Sequence, residues 1–90
     1  MLENELEKWI SSEKLWARRL ITASINNMEG IDTDTVDRYN VLIEMEHMII
    51  TGQLYGMICE AVLYINAHKD DIMTARYTLY CEFIRFIVMA

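Results

Sequence analysis

Three residues of this chain have types and a spacing that could bind a metal ion. Glu44 and His47 form a Glu-x-x-His pair, which places a carboxylate and an imidazole one helical turn apart on one face. Glu13 interrupts the apolar stripe of the preceding helix, between Trp9 and Trp16, and could supply a further carboxylate. If two chains came together, two copies of this set could supply six metal ligands.

The Glu-x-x-His pair resembles the motif of carboxylate-bridged di-iron proteins of the ferritin-like type, which add a glutamate from a neighbouring helix. The resemblance implies an iron or manganese site made of Glu13, Glu44 and His47 and completed across a subunit interface. It covers these three residues only, and the sequence has no second Glu-x-x-His. The favoured interpretation is therefore that no cofactor is bound and that His47 is hydrogen-bonded to a glutamate at the edge of the core.

Other motifs for catalysis are missing from the sequence. Cys59 and Cys81 lie in apolar helical stretches without a basic neighbour that would activate a thiol, which favours reduced core cysteines. The serines follow no glycine-rich elbow, and no phosphate-binding loop occurs. Asp32, Asp34 and Asp37 lack the glycine and glutamate of a calcium loop, so we interpret Asp34 as a helix N-cap. The sequence favours a protein that is not an enzyme.

The composition predicts one helical domain that spans residues 1–90. Ninety residues suit a single domain, and 53% of them are hydrophobic. Proline is absent and glycine occurs only three times, which favours long helices over a sheet with many turns. We therefore expect an all-α fold, a compact bundle of three main helices that self-associates.

The apolar periodicity places these three helices along the chain. The first covers about residues 3–28. The second starts near Thr35 and continues to about residue 67, either as one long helix or broken near Gly52 or Gly56. The third opens at Asp70 and Asp71 and runs to the end of the sequence.

Residues 41–65 form the most apolar segment, and they are the basis for predicting self-association. Only Glu44, Glu46 and Glu60 are certain to be charged there. A helix that is apolar nearly all round must be covered on both sides. We expect one face, which includes Ile43, His47, Ile50, Leu54, Met57, Ala61 and Ile65, to pack on the other two helices.

The opposite face of this segment is the predicted interface with a second copy, because most soluble oligomers are two-fold homomers. Gly52 and Gly56 have the GxxxG spacing that lets two backbones approach closely, although a bend or a contact within one chain would also explain them. The predicted homodimer interface consists of Met45, Met48, Gly52, Tyr55, Gly56 and Cys59.

The charge of the chain favours a protein partner over nucleic acid or membrane. The net charge of −6 offers no basic footprint for nucleic acid, and it suits a larger, basic protein. Residues 48–65 are long enough for a membrane span, but Glu60 lies inside them and no basic or aromatic anchors flank them. The acidic N-terminal stretch does not resemble a secretory signal, so we expect a cytoplasmic protein.

Together these patterns favour a small acidic, non-enzymatic protein–protein interaction module that acts as an inhibitor or adaptor and forms a homodimer. Phage and mobile-element accessory proteins that block host machinery often have this size and charge. The alternative function is a metal-binding helical oligomer, similar to di-iron carboxylate proteins, that uses Glu13 and the Glu44-x-x-His47 pair.

Overall fold

The computed structural model describes residues 2–28, 30 and 32–89, and every regular element within them is an α-helix. The helices are α1 (Leu2–Asn26), α2 (Thr33–Ile50), α3 (Leu54–Ala67) and α4 (Ala75–Met89). The predicted all-α class is confirmed. The described part of the chain contains four helices instead of three, because the predicted second helix is broken near Gly52.

Helix α2 begins at Thr33, earlier than predicted, because Asp32 is its N-cap. One carboxylate oxygen of Asp32 accepts a hydrogen bond from the backbone N–H of Asp34 at 3.1 Å, and the other accepts from the Thr35 hydroxyl at 3.1 Å. This arrangement satisfies one of the backbone donors that the first helical turn leaves free. The prediction that Asp34 is the N-cap was wrong.

Gly52 ends α2 in a Schellman motif. Its backbone N–H donates to the carbonyl of Ile49 at 3.1 Å, and the N–H of Gln53 donates to the carbonyl of Met48 at 2.8 Å. This pattern requires a left-handed residue at the position of Gly52, whose φ is 79°. Helix α2 therefore ends before α3 starts at Leu54, with the carbonyls of Met48 and Ile49 satisfied.

Helix α4 begins at Ala75, later than the predicted Asp70. The hydroxyl of Thr74 accepts a hydrogen bond from the N–H of Tyr77 at 3.2 Å, so Thr74 caps the helix. Asp71 instead closes the preceding turn, because its N–H donates to the carbonyl of His68 at 2.9 Å.

Helix α2 lies at the centre of the bundle. It packs against α1, α3 and α4, and α3 also packs against α4. The start of α1 reaches the end of α4, where the rings of Trp9 and Phe86 stack at 5.6 Å. The buried core draws on all four helices and consists of Leu6, Ile10, Val41, Leu42, Met45, Ile49, Met57, Ala61, Leu79, Tyr80 and Phe83.

Each large apolar side chain in this core stabilises the fold by roughly 1.5–3 kcal/mol. Helix α2 contributes four buried residues, whereas α3 contributes only Met57 and Ala61.

Among the described residues, no helix has the length and apolarity needed to cross a bilayer.

Candidate interaction surface

Helix α3 presents an uncharged face to solvent. Met57 and Ala61 mark its inner side, where it packs on α2 and α4. At 100° per residue, the opposite side is centred on Cys59. We call this side the α3 stripe. Its members are all exposed and none carries a charge: Tyr55, Gly56, Cys59, Val62, Leu63 and Asn66.

The largest side chains of the α3 stripe are almost free of contacts within the chain. Tyr55 is 84% exposed and Leu63 is 69% exposed. Glu60 is the only charged residue of α3, and it lies beside the stripe, in a cleft that Tyr80 also lines. Solvated helix faces usually carry charged side chains, and contiguous exposed apolar surface is typical of binding sites. The α3 stripe is therefore the strongest candidate for a functional surface.

Three residues of the predicted interface lie together on the α3 stripe. Tyr55, Gly56 and Cys59 occupy its first two turns, and all three are exposed. The expectation that Cys59 is a core thiol was wrong, since its side chain faces solvent, and Cys81 is only half-buried.

The structure places the other three predicted interface residues elsewhere. Met45 is 0% exposed and belongs to the core of the chain, so it is not on any surface. Met48 is half-buried at the end of α2, and Gly52 lies in the turn that follows. The predicted GxxxG face does not exist, because Gly52 is outside the helix that contains Gly56.

The break at Gly52 also explains which faces were assigned incorrectly. Ile43, His47 and Ile50 were expected to pack in the core, yet all three are exposed. The buried face of α2 runs instead through Val41, Leu42, Met45 and Ile49. A single helical phase cannot hold for residues 41–65 when one helix ends and another begins within them.

Val62 is a stripe residue that was missing from the predicted face. It is 42% exposed on α3, next to Leu63. Val62 is seven residues after Tyr55 and three after Cys59, a spacing that places all three on one helical face. The signal was therefore the i, i+4, i+7 spacing of Tyr55, Cys59 and Val62.

Arg38 of α2 forms ion pairs with residues of both α1 and α4. Its guanidinium donates to the carboxylates of Glu13 at 3.0 Å and Glu82 at 2.8 Å. Burial alone would lower the pKa of Arg38, but the hydrogen bonds and charges of the two glutamates raise it overall. Glu13, which was considered as a metal ligand, is thus one half of a charge-assisted pair between helices.

Arg76 of α4 forms a second cluster, on the other side of α2. It contacts Glu44 at 2.7 Å and donates to the Tyr80 hydroxyl at 2.7 Å. Its guanidinium also lies 6.0 Å from the ring centre of Tyr64, which meets the Tyr80 ring edge-on at 5.4 Å. Burial raises the pKa of Tyr80, and the nearby charge of Arg76 opposes this increase only in part.

These two arginines separate the candidate metal ligands. Glu13 is paired with Arg38 and Glu44 with Arg76, while His47 is exposed beside a cleft of about 440 Å³. Within the described residues, no group of three or more histidine, cysteine, aspartate or glutamate side chains is arranged to hold a metal ion. A single chain therefore does not bring Glu13, Glu44 and His47 together as a ligand set.

A cleft of about 810 Å³ lies between the start of α1 and the end of α4. Leu2, Phe86 and Ile87 form much of its apolar wall, and Glu82 at its rim is already paired with Arg38. Reactive groups do not converge in it as they do in an active site. The cleft is therefore a weaker candidate for a functional site than the α3 stripe.

Comparisons with known proteins were made at the level of families, sequences and structures. No family model, curated protein or solved structure matches this chain.

Proposed function

We propose that this protein is a non-enzymatic protein–protein interaction module that works as a homodimer joined through the α3 stripe. The observation that supports the proposal is an exposed helix face that carries no charge and that includes Tyr55 and, about two turns later, Leu63. Covering such a face removes apolar surface from water and leaves no ionised group unpaired. Tyrosine in such a face is also typical of protein interfaces.

Besides its own copy, the chain has a larger, basic protein as a partner. The dimer either inhibits this protein or links it to other proteins. The internal ion pairs engage Lys14, Arg38 and Arg76, so the acidic excess of the chain is left on the surface. Asp37 and Thr74 line one small cleft, which places the starts of α2 and α4 at the same end of the bundle. Exposed aspartates lie at or beside these starts: Asp32, Asp34, Asp37, Asp70 and Asp71. Complementary charge of this kind steers a basic partner to that end.

The homodimer is tested with Leu63→Glu, which places a charge in the α3 stripe. We expect the wild-type chain to have twice the monomer mass of 10.6 kDa and Leu63→Glu to weaken association at least about tenfold. Leu15→Glu is the matched control, because Leu15 is an exposed leucine of α1 outside the stripe. Sedimentation equilibrium of all three proteins gives the masses. A wild-type chain that stays monomeric at high concentration would rule the proposal out.

The second partner is tested by affinity capture from the native host, followed by mass spectrometry. The bait is the wild-type chain, compared with a variant in which Asp34, Asp37, Asp70 and Asp71 are replaced by asparagine. Asp32 is kept because it caps α2. We expect a basic protein that the wild type retains and the variant loses. Recovery of only the chain itself would count against an inhibitor or adaptor.

A further inference from the structure

We infer that the second copy lies antiparallel on the α3 stripe, with the two-fold axis passing beside Cys59. This inference rests on the proposed homodimer and specifies its geometry. Cys59 is at the centre of the stripe, directly opposite the buried side that Met57 and Ala61 occupy. In a two-fold interface the same patch is used by both subunits, so a residue on the axis meets its own copy.

The sequence of the stripe is self-complementary about this axis. In antiparallel helices, residues at equal distances on either side of the axis face each other. Tyr55 and Leu63 are four residues before and after Cys59, so each Tyr55 meets the partner's Leu63. Gly56 and Val62 are three residues away on either side, so each Gly56 meets the partner's Val62.

The sizes of these pairs also match. A Cβ at Gly56 would be in ordinary contact with Met48 Cε at 3.6 Å and Gln53 Cβ at 4.0 Å, so Met48 borders the gap that the missing side chain leaves. The partner's Val62 is small enough to enter it. Cys59 is also small, and small residues at the centre of a contact let two helices approach closely. The larger Tyr55 and Leu63 then close the contact at both ends.

The exposed area of the chain leaves surface for an interface, and the charge of the face favours a second copy. The surface is 6115 Å², whereas a monomer of this mass typically exposes about 5,500 Å². The chain thus exposes roughly 600 Å² more than a typical monomer, somewhat less than the surface of about 800 Å² that each subunit loses in a standard interface. A second uncharged face covers the α3 stripe without desolvating a charge, and another copy of the chain provides one.

The axis is tested by cross-linking the homodimer with a short bis-maleimide in a Cys81→Ser background. We expect Cys59 to link two chains, so that the band shifts from monomer to dimer mass. The matched control lacks both native cysteines and carries Ser12→Cys, an exposed position on the outer side of α1. We expect the control to stay at monomer mass.

The antiparallel register is tested by mixing two chains that lack both native cysteines. One carries Tyr55→Cys and the other Leu63→Cys, and the same bis-maleimide is added. We expect the mixed pair to cross-link, and neither chain to link with itself, because eight residues separate these positions by about 12 Å along the helix. A dimer that links Tyr55→Cys to itself but not to Leu63→Cys would overturn this geometry and leave the proposed dimer intact. A chain that is monomeric by mass would overturn both.

Discussion

Helices α2 and α3 come from one continuous apolar segment of sequence, yet their surroundings differ. Helix α2 is covered by three neighbours and places Arg38, Glu44 and Glu46 in ion pairs with α1 and α4. Helix α3 has neighbours on its inner side only, and its single charged residue, Glu60, lies beside the exposed face. Glu44 and Glu46 thus form contacts within the chain, whereas the uncharged face of α3 is exposed and is the surface proposed for contacts between chains.

The strongest test of this difference compares Met45→Ala in α2 with Leu63→Ala in α3. Met45 is fully buried, so its truncation should lower the free energy of unfolding by about 3 kcal/mol. Leu63 is exposed, so the same change should cost less than about 0.5 kcal/mol in dilute protein. Urea denaturation at low concentration measures both. Equal losses would show that α3 is as well buried as α2.

The next effect concerns the ion pairs of α2. Arg38→Met removes the cation that joins Glu13 and Glu82 and leaves two half-buried carboxylates without their partner. We expect a loss of about 1–2 kcal/mol in the free energy of unfolding, since these groups are partly solvated. Arg18→Met is the control, because Arg18 is exposed and has no ion pair within the described residues. A similar loss in both variants would contradict a specific role for Arg38.

The two glycines on either side of the α2–α3 junction should respond in opposite directions. Gly52→Ala forces a side chain into left-handed backbone and should destabilise the monomer by about 1 kcal/mol. Gly56→Ala adds a methyl group at ordinary contact distance within a helix and should stabilise the monomer by about 0.5–1 kcal/mol. Thermal unfolding at low concentration compares the two. A stabilising Gly52→Ala would mean that the turn does not require a left-handed residue.

The smallest effect is a pH dependence at the α3–α4 contact. The pKa of Tyr80 is raised in the folded chain, chiefly by burial, so the folded state holds the phenol proton more tightly than the unfolded state. This contribution to stability is complete below the unfolded pKa of about 10 and is lost as the pH rises through the folded pKa. Unfolding by urea between neutral pH and pH 11 should show a steeper decline for the wild type than for Tyr80→Phe. Parallel declines would contradict the assignment.

Much of the fold follows from local sequence, and the corrections arise where tertiary contacts decide. The absence of proline and the apolar period predict the helices, and Gly52 was one of two expected break points. The starts of α2 and α4 were predicted incorrectly. Asp32 and Thr74 cap these helices, and neighbouring polar residues could have made the same hydrogen bonds.

Local helical spacing predicted part of the α3 stripe but misplaced another predicted interface residue. Tyr55, Gly56 and Cys59 are exposed together because their spacing fits one helix. Met45 was misplaced because the helical phase was carried across the turn at Gly52. Nothing local in the sequence predicts that Arg38 joins Glu13 to Glu82, since that bridge depends on how three helices pack.

The turn at Gly52 has a consequence for how the molecule opens. Because the helical hydrogen bonds stop there, α3 can detach from α2 without unwinding it, as a separate cooperative unit. Backbone amides of α3 should therefore exchange with deuterium sooner than those of α2 in a dilute sample. Since a bound copy would hold α3 in place, that exchange should slow as the protein is concentrated, while exchange in α2 changes less.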